Sequence, residues 1–311
     1  MALGTRGSLK RMQSGAHNAR QLVRDAAERL ARVGVPEPVA SAEVLLAELL
    51  GVRRSELAIR EEPLTVEQGA LYGAWISHRL NREPVQRILG YAYFRNLRLD
   101  LDEHTLIPRP DTESVVDAAL EAVDRRGAFG LENNPTPGSE AACRVLDLGT
   151  GSGAIAVSVA QERPHCEIHA TDHSEGALKV ARRNVAREGV TVRFHKANLA
   201  SGLDFLSGSV DVLVSNPPYV RSANIPKLVP EVRDWDPRAA LDGGPDGLDF
   251  YRRIFLEATP LLEDGADVVL EVGDGRADEV LELGRRAGYE PLGTRPDLTG
   301  TPRAVLLRLG S

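Results

Sequence analysis

Arg144-Val-Leu-Asp147-Leu-Gly149-Thr150-Gly151-Ser152-Gly153-Ala-Ile-Ala-Val reads as an apolar strand that closes on a glycine-rich turn and reopens as a helix. Glycines allow the tight turn and let a ligand come close to the backbone, while the first N–H groups of the helix face whatever lies there. The next strand, Glu167 to Thr171, ends at Asp172, from where a carboxylate can take both hydroxyls of a ribose. Gly149, Thr150, Gly151, Ser152, Gly153 and Asp172 are therefore candidate cofactor-binding residues. Asp172 also suits the start of a helix from Ser174 onward, as an N-cap. A nicotinamide dinucleotide and S-adenosyl-L-methionine fit this geometry alike. The lack of a basic residue beside the glycines separates them only slightly, because helix N-termini can bind phosphate unaided.

Outward from this turn the strand and helix patterns alternate. Helices are predicted to Gln161 and to Arg187, strands at Thr191 to His195 and Val210 to Ser215, and a helix from Leu248 to Leu262. A strand at Asp267 to Glu271, a helix from Ala277 to Ala287 and a strand at Arg303 to Leu309 complete the series. Repeated βα units imply an α/β class with a mostly parallel sheet and helices on both faces. This catalytic domain is expected over residues 105–311. Upstream, apolar residues recur at helical spacing through Leu22, Ala26, Leu30 and Val33, and again through Val44, Leu45 and Leu49 to a stop at Gly51. Thr65 and Gln68 form a capping-box pattern that opens a helix through Leu71, Trp75 and Leu80. Residues 19–83 thus read as a helical bundle that recognises a partner or packs. Residues 84–104 read as a β-hairpin linker, rich in Tyr91, Tyr93, Phe94 and the alternating Leu97, Leu99 and Leu101. A helix is expected from Asp111 to about Val123, then an exposed loop from Arg126 to Ala142.

The chain has 311 residues, 42% of them hydrophobic, enough for two domains with cores. Its net charge of -7 supplies no global positive field, which disfavours indiscriminate binding to nucleic acid. Cys143 and Cys166 are the two cysteines, and their spacing suits neither a disulfide framework nor a zinc ribbon, so a reducing, cytoplasmic setting is expected. Arg6, Lys10, Arg11, Arg20 and Arg24 precede the first acid, Asp25. That bias resembles an organelle transit peptide, but residues 1–18 read as a basic tail, a signal peptide being disfavoured by the lack of an apolar core between Met1 and Gln21, and no run reaches membrane-spanning length.

The chemistry is written at the end of the strand Asp211-Val-Leu-Val-Ser215, which runs into Asn216-Pro217-Pro218-Tyr219. Two prolines fix φ and remove two backbone donors, so the carbonyls of the turn stand as directed acceptors. A planar NH2 group is a poor nucleophile because its lone pair is delocalised, and its hydrogens must be steered away from an incoming methyl. Asn216 Oδ1 and the Pro217 carbonyl can each take one N–H, and the Tyr219 ring can stack on the π system. Asn216, Pro217, Pro218 and Tyr219 are the candidate catalytic residues, with Asn216 also a candidate cofactor-binding residue. Transfer is then an in-line displacement in which proximity and orientation supply most of the gain. This selects S-adenosyl-L-methionine, leaving S-adenosyl-L-homocysteine. Asn198 is placed to meet the adenine amino group and Leu199 its face.

At these residues the chain resembles the bacterial release factor glutamine methyltransferase family, from about Arg20 to Leu309. Arg82-Glu-Pro-Val-Gln86-Arg-Ile-Leu-Gly90, Leu106-Ile-Pro-Arg-Pro-Asp-Thr-Glu113, the glycine turn and Asn216 to Tyr219 carry the likeness. So do Asp246-Gly-Leu-Asp-Phe-Tyr251, Glu271-Val-Gly273 and Asp297-Leu-Thr-Gly300 to Arg303. The resemblance implies a Rossmann-like class I methyltransferase with a mostly parallel seven-stranded sheet. It also implies that the acceptor is the glutamine of a Gly-Gly-Gln loop in class I peptide chain release factors, that the product is N5-methylglutamine, and that the helical domain helps dock the factor. A monomer with no direct nucleic-acid partner and no membrane is expected. The family usually has Asp where this chain has Asn198, frequently an aromatic at Leu199, and often Gln at Arg276. Its loop before Cys143 is shorter. An adenine N6-methyltransferase and a glutamine methyltransferase of a ribosomal protein would use the same tetrapeptide.

Three further groups are open to two readings. Arg109 can meet the methionine carboxylate or pair with Asp111 and Glu113, and Phe94 can wall the cofactor or fill the hairpin core. His165, His169 and His173 straddle a strand and a turn without a carboxylate or thiolate set at ligand spacing, so no metal is expected.

Overall fold

A computed structural model describes residues 18–60, 62–132 and 143–310, and the chain divides into two compact units, one ending at Leu89 and the other starting at Gly90. The tail expected over the first 18 residues, beyond Asn18 itself, and the part of the expected loop at 133–142 lie outside the described residues. Among the described residues no helix is long and apolar enough to cross a membrane.

The first unit holds helices α1 (Ala19–Arg32), α2 (Pro38–Leu50), α3 (Val66–Leu80) and α4 (Val85–Leu89). Asn18 caps α1 by accepting from Gln21 N, and Gly51 ends α2 at φ 63. The Thr65 and Gln68 side chains cap α3 reciprocally, as their spacing predicts. Val23, Ala26, Ala27 and Leu30 of α1 meet Leu45, Leu46, Tyr72 and Ile76 in one core. The buried face of α3 is therefore set by Tyr72 and Ile76, with Leu71 exposed. Residues 85–89, expected within the hairpin, form a helical turn instead.

The second unit opens with an antiparallel pair, β1 (Tyr91–Phe94) and β2 (Leu97–Asp100), then α5 (Glu113–Glu132), β3 (Arg144–Leu148), α6 (Ala154–Glu162), β4 (Glu167–Asp172), α7 (Glu175–Glu188), β5 (Arg193–Lys196) and β6 (Val210–Ser215). It continues through α8 (Pro230–Arg233), α9 (Asp249–Glu257), β7 (Leu262–Glu271), α10 (Ala277–Arg286), β8 (Tyr289–Pro296) and β9 (Pro302–Leu309). The seven-stranded sheet has the order β5-β4-β3-β6-β7-β9-β8, parallel except where β9 runs against both its neighbours. Helix α5 runs to Glu132, past the predicted end and into the expected loop. Strand β8 is absent from the sequence reading because Pro291, Gly293 and Pro296 argue against a strand. It survives as an edge strand with register shifts at those residues, a position that tolerates a missing donor.

Both sheet faces are buried. Val145, Val212 and Val214 pack under α5 and α6 on one side, and Leu146, Leu148 and Leu213 under α9 and α10 on the other. Phe94, Leu97 and Leu99 of the hairpin join the first of these cores, so Phe94 fills core and does not wall a ligand site.

Candidate active site

The strand order makes the site. After β3 the chain goes to β4 on one side, and after β6 it goes to β7 on the other, so the loops leaving these two adjacent strands diverge and open a crevice at their C-terminal ends. Leu148 and Ser215 are register partners, and the Ser215 hydroxyl donates to the Leu148 carbonyl at 2.6 Å. The glycine turn and the proline turn, more than sixty residues apart in sequence, therefore start side by side. Gly149 to Ser152 and Asn216 to Pro218 line a single cleft with Asp172, Asn198 and Leu199.

On the glycine side, Gly149, Gly151 and Gly153 have φ of 75, 56 and 84. A Cβ at Gly149 or Gly151 would meet no protein atom within 4 Å, so the space above the turn is left for a ligand, whereas at Gly153 it would press on Val157 and Ala181. Gly149 N and Thr150 N both donate to the Thr171 carbonyl, which pins the turn to β4. Beneath it Asp147 is fully buried, accepts from the Thr150 hydroxyl at 2.7 Å and is pushed up to about 7 by that burial. Asp172 accepts from Gly151 N at 2.9 Å through Oδ2 and from Ser174 N at 2.8 Å through Oδ1. Ser174, not Asp172, is the N-cap of α7, and each Asp172 oxygen keeps a lone pair for a ribose hydroxyl.

At the far end, Asn198 Oδ1 accepts from Arg253 Nη2 at 3.0 Å, so an adenine amino group could reach this residue only by sharing that oxygen, and Leu199 is buried at φ 55. Phe250 lines the cleft beside them. Phe250 itself lies in the segment Asp246 to Tyr251 that carries the family likeness, but sequence alone assigns it no role; an aromatic at the start of α9 carries no site signal until the fold brings it to the cleft. These residues fit an adenosine-bearing cofactor: open space over glycines, a held acid, and apolar walls.

On the proline side, Asn216 Nδ2 donates to Thr112 Oγ1 at 3.3 Å, and the Thr112 hydroxyl donates to Glu271 Oε2 at 2.6 Å. With its NH2 engaged, Asn216 has Oδ1 free as an acceptor. Glu271, at the end of β7, is 1% exposed. Burial pushes its carboxyl up to about 7, against the pull of the Thr112 hydroxyl and the Arg303 guanidinium. The Tyr219 ring, expected to stack on the substrate amide, is not among the cleft-lining residues: the hydroxyl donates to Glu271 Oε1 at 3.3 Å and the ring lies over Gly273, because the buried carboxyl behind the turn captures the phenol. Burial raises the Tyr219 hydroxyl well above its ordinary value, keeping it a donor. Thr112 and Glu271 were not singled out as site residues, since neither lies near the tetrapeptide in sequence.

A glycine loop clamps the outer side of the proline turn. Val220 N donates to the Leu241 carbonyl and Gly243 N to the Val220 carbonyl, at 2.9 and 2.8 Å. A Cβ on Gly243 would stand 2.7 Å from the Pro218 oxygen and the Tyr219 Cα, so only glycine lets the two backbones meet. Arg276, where the family often has Gln, braces this loop through the Asp246 carbonyl. Arg109 lines the cleft and pairs with the buried carboxylate of Asp236, not with Asp111 or Glu113; Asp111 meets Arg303 at 3.3 Å. His169 and His195 stack with ring centroids 5.1 Å apart on strands β4 and β5. Among the described residues no group of three or more His, Cys, Asp and Glu is placed to hold a metal.

The chain is similar to known proteins over most of its length. Residues 21–90 match the family model of the PrmC N-terminal domain, and residues 121–231 that of the methyltransferase small domain. A release factor glutamine methyltransferase of Streptomyces coelicolor is 40% identical over 287 residues, which cover 92% of this chain and 96% of that protein. Those of Agrobacterium fabrum and Geobacter sulfurreducens are 37% and 38% identical, covering 91% and 90% of this chain and 94% and 93% of theirs. Among solved structures, the hMettl16 catalytic domain in complex with MAT2A 3'UTR hairpin 1 superposes with a TM-score of 0.50 at 15% identity, over 81% of this chain and 83% of that one, a likeness of fold alone.

Proposed function

The chain belongs to the release factor glutamine methyltransferase family, and we propose that its cleft methylates N5 of the glutamine in the Gly-Gly-Gln loop of class I peptide chain release factors. It is an S-adenosyl-L-methionine-dependent enzyme that acts on release factor glutamine. The observation that carries the finer reading is the engagement of the Asn216 NH2 by Thr112, which leaves the side-chain oxygen to receive an N–H.

S-adenosyl-L-methionine supplies an electrophilic methyl on a good leaving group. The backbone of Gly149, Thr150, Gly151, Ser152 and Gly153 holds it, Asp172 accepts from its ribose hydroxyls, and Asn198 and Leu199 receive the adenine. Asn216 Oδ1 and the Pro217 carbonyl each accept one N–H of the glutamine amide, turning its nitrogen lone pair toward the methyl, and the one proton the nitrogen loses leaves along these acceptors to water. Pro218 stiffens the turn and Tyr219 anchors it from behind through Glu271. The residues act by orientation, which accounts for several kcal/mol of barrier where reacting atoms are held in line. The helical unit helps dock the factor. The enzyme works as a cytoplasmic monomer on protein, without a nucleic-acid partner, a reading its net charge of -7 supports.

The test is mass spectrometry after incubation with S-adenosyl-L-methionine and either a class I release factor or an adenine-containing oligonucleotide. One methyl on the glutamine of the Gly-Gly-Gln peptide is expected. Methylated adenine and an unmodified factor would contradict the reading.

A further inference from the structure

We propose that Glu271 is a positioning residue whose ionised carboxylate sets the direction of the hydrogen-bond chain through Thr112 and so decides which end of the Asn216 carboxamide faces the substrate. The inference rests on the reading of Asn216 as the amide acceptor. The chain runs from Asn216 Nδ2 to Thr112 Oγ1, 3.3 Å, and from the Thr112 hydroxyl to Glu271 Oε2, 2.6 Å, while the Tyr219 hydroxyl meets Glu271 Oε1 at 3.3 Å. A carboxylate can only accept, so both hydroxyl protons point into Glu271. Thr112 Oγ1 then offers Asn216 nothing but lone pairs. The NH2 of Asn216 must turn inward to Thr112 and its oxygen outward to the cleft, the orientation that receives a glutamine N–H.

A protonated Glu271 reverses this order. Its proton has the Thr112 oxygen closest, at 2.6 Å, and giving it there frees the Thr112 hydroxyl to donate to Asn216. The carboxamide then turns its oxygen inward and its NH2 outward, and a donor meets the NH2 of the substrate. The device is sealed from water: Glu271 is 1% exposed and Thr112 4%.

The groups that face Glu271 come from four elements. Thr112 and Asp111 lie just before α5, Tyr219 in the proline turn, Tyr251 on α9 with its hydroxyl on the Glu271 carbonyl at 2.8 Å, and Arg303 on β9. Arg303 is itself buried, donates to the Val272 carbonyl at 3.3 Å and meets Asp111, Asp274 and Asp297. Its cation favours the ionised carboxyl; burial and Asp111 oppose it, and the balance puts Glu271 at about 7. The acceptor state of the chain therefore gains as pH rises.

The experiment measures kcat and KM for a class I release factor across the neutral pH range, and the affinity for S-adenosyl-L-homocysteine by calorimetry, for the full-length wild type and three variants. The wild-type kcat is expected to fall on the acid side. In Glu271→Gln, which has no proton to gain, that acid limb disappears. Thr112→Val loses about tenfold in kcat, the worth of one oriented hydrogen bond, with unchanged cofactor affinity and no acid limb. Thr112→Ser, which keeps the hydroxyl, restores rate and limb together, and this rescue separates relay from packing. An acid limb that persists in Glu271→Gln, or a Thr112→Ser variant as slow as Thr112→Val, overturns the proposal while the methylated glutamine still stands. A wild type that leaves the glutamine unmethylated overturns the parent reading and this one with it.

Discussion

Asn216 has two polar ends, and Thr112 takes one of them. Replacing Asn216 with Ala removes an acceptor that was set before substrate arrives, and on the scale of a lost preorganised hydrogen bond kcat should fall by about 10²-fold or more. Cofactor affinity, read by calorimetry with S-adenosyl-L-homocysteine, should hardly change; a large loss of affinity with kcat intact would assign Asn216 to cofactor binding alone. Asp172→Ala makes the opposite split. Losing two charged acceptors should weaken the cofactor by roughly ten- to a hundredfold and leave the rate at saturating cofactor nearly untouched. At this scale the sequence pointed to residues that stand beside their neighbours in the chain, Gly149 to Ser152 and Asn216 to Pro218 in the two turns, but misjudged Tyr219, which turns away from the cleft to Glu271. It was silent on Thr112 and Glu271, because a threonine after a proline and a glutamate at a strand end have no local feature that says they meet; only the pairing of β6 with β7 and the docking of α5 bring them to Asn216. For Arg109 the sequence offered Asp111 and Glu113 as partners, and the fold chose Asp236, far along the chain.

The elements place these residues by their order in the sheet. Strands β3 and β6 were readable as buried apolar runs, and so were the helices that cover them; their adjacency was not, because strand order is a long-range pairing that neither run encodes locally. Strand β8 escaped because its prolines and glycine mask it, and the length of α5 escaped because Gly127 and Gly130 read as loop. The glycine loop at 243–247 works as an element too. Gly243→Ala puts a Cβ 2.7 Å from the Pro218 oxygen and the Tyr219 Cα, so the proline turn must shift. We expect a loss of stability of roughly 1–3 kcal/mol from overpacking together with a fall in kcat that exceeds any change in cofactor affinity. Thermal melts and kinetics on the same preparation check this; wild-type kcat at wild-type stability would show that the loop is no clamp. In the helical unit, Thr65→Ala removes one half of the capping box of α3 and should cost about 1 kcal/mol, measurable by denaturant unfolding, without touching the affinity for cofactor.

For the molecule as a whole, two buried carboxyls couple folding to pH. Asp147 and Glu271 are both raised to about 7 by burial, so the folded chain keeps protons that the unfolded chain has released. Their contribution to stability is therefore complete below the ordinary carboxyl range and is lost as pH rises toward about 7. Ligand-free wild type should melt at a lower temperature near pH 7 than near pH 5 by this contribution, and the difference should shrink in Glu271→Gln; an unchanged difference would remove Glu271 from the account. The central claim, that a rigid proline turn beside the cofactor presents two acceptors to a carboxamide, is tested most directly by a crystal structure of the full chain with S-adenosyl-L-homocysteine and a peptide containing Gly-Gly-Gln. The prediction is a glutamine nitrogen within hydrogen-bond distance of both Asn216 Oδ1 and the Pro217 carbonyl, with its open side toward the cofactor sulfur. A glutamine bound elsewhere, or an Asn216 that presents its NH2 to the peptide, would contradict it.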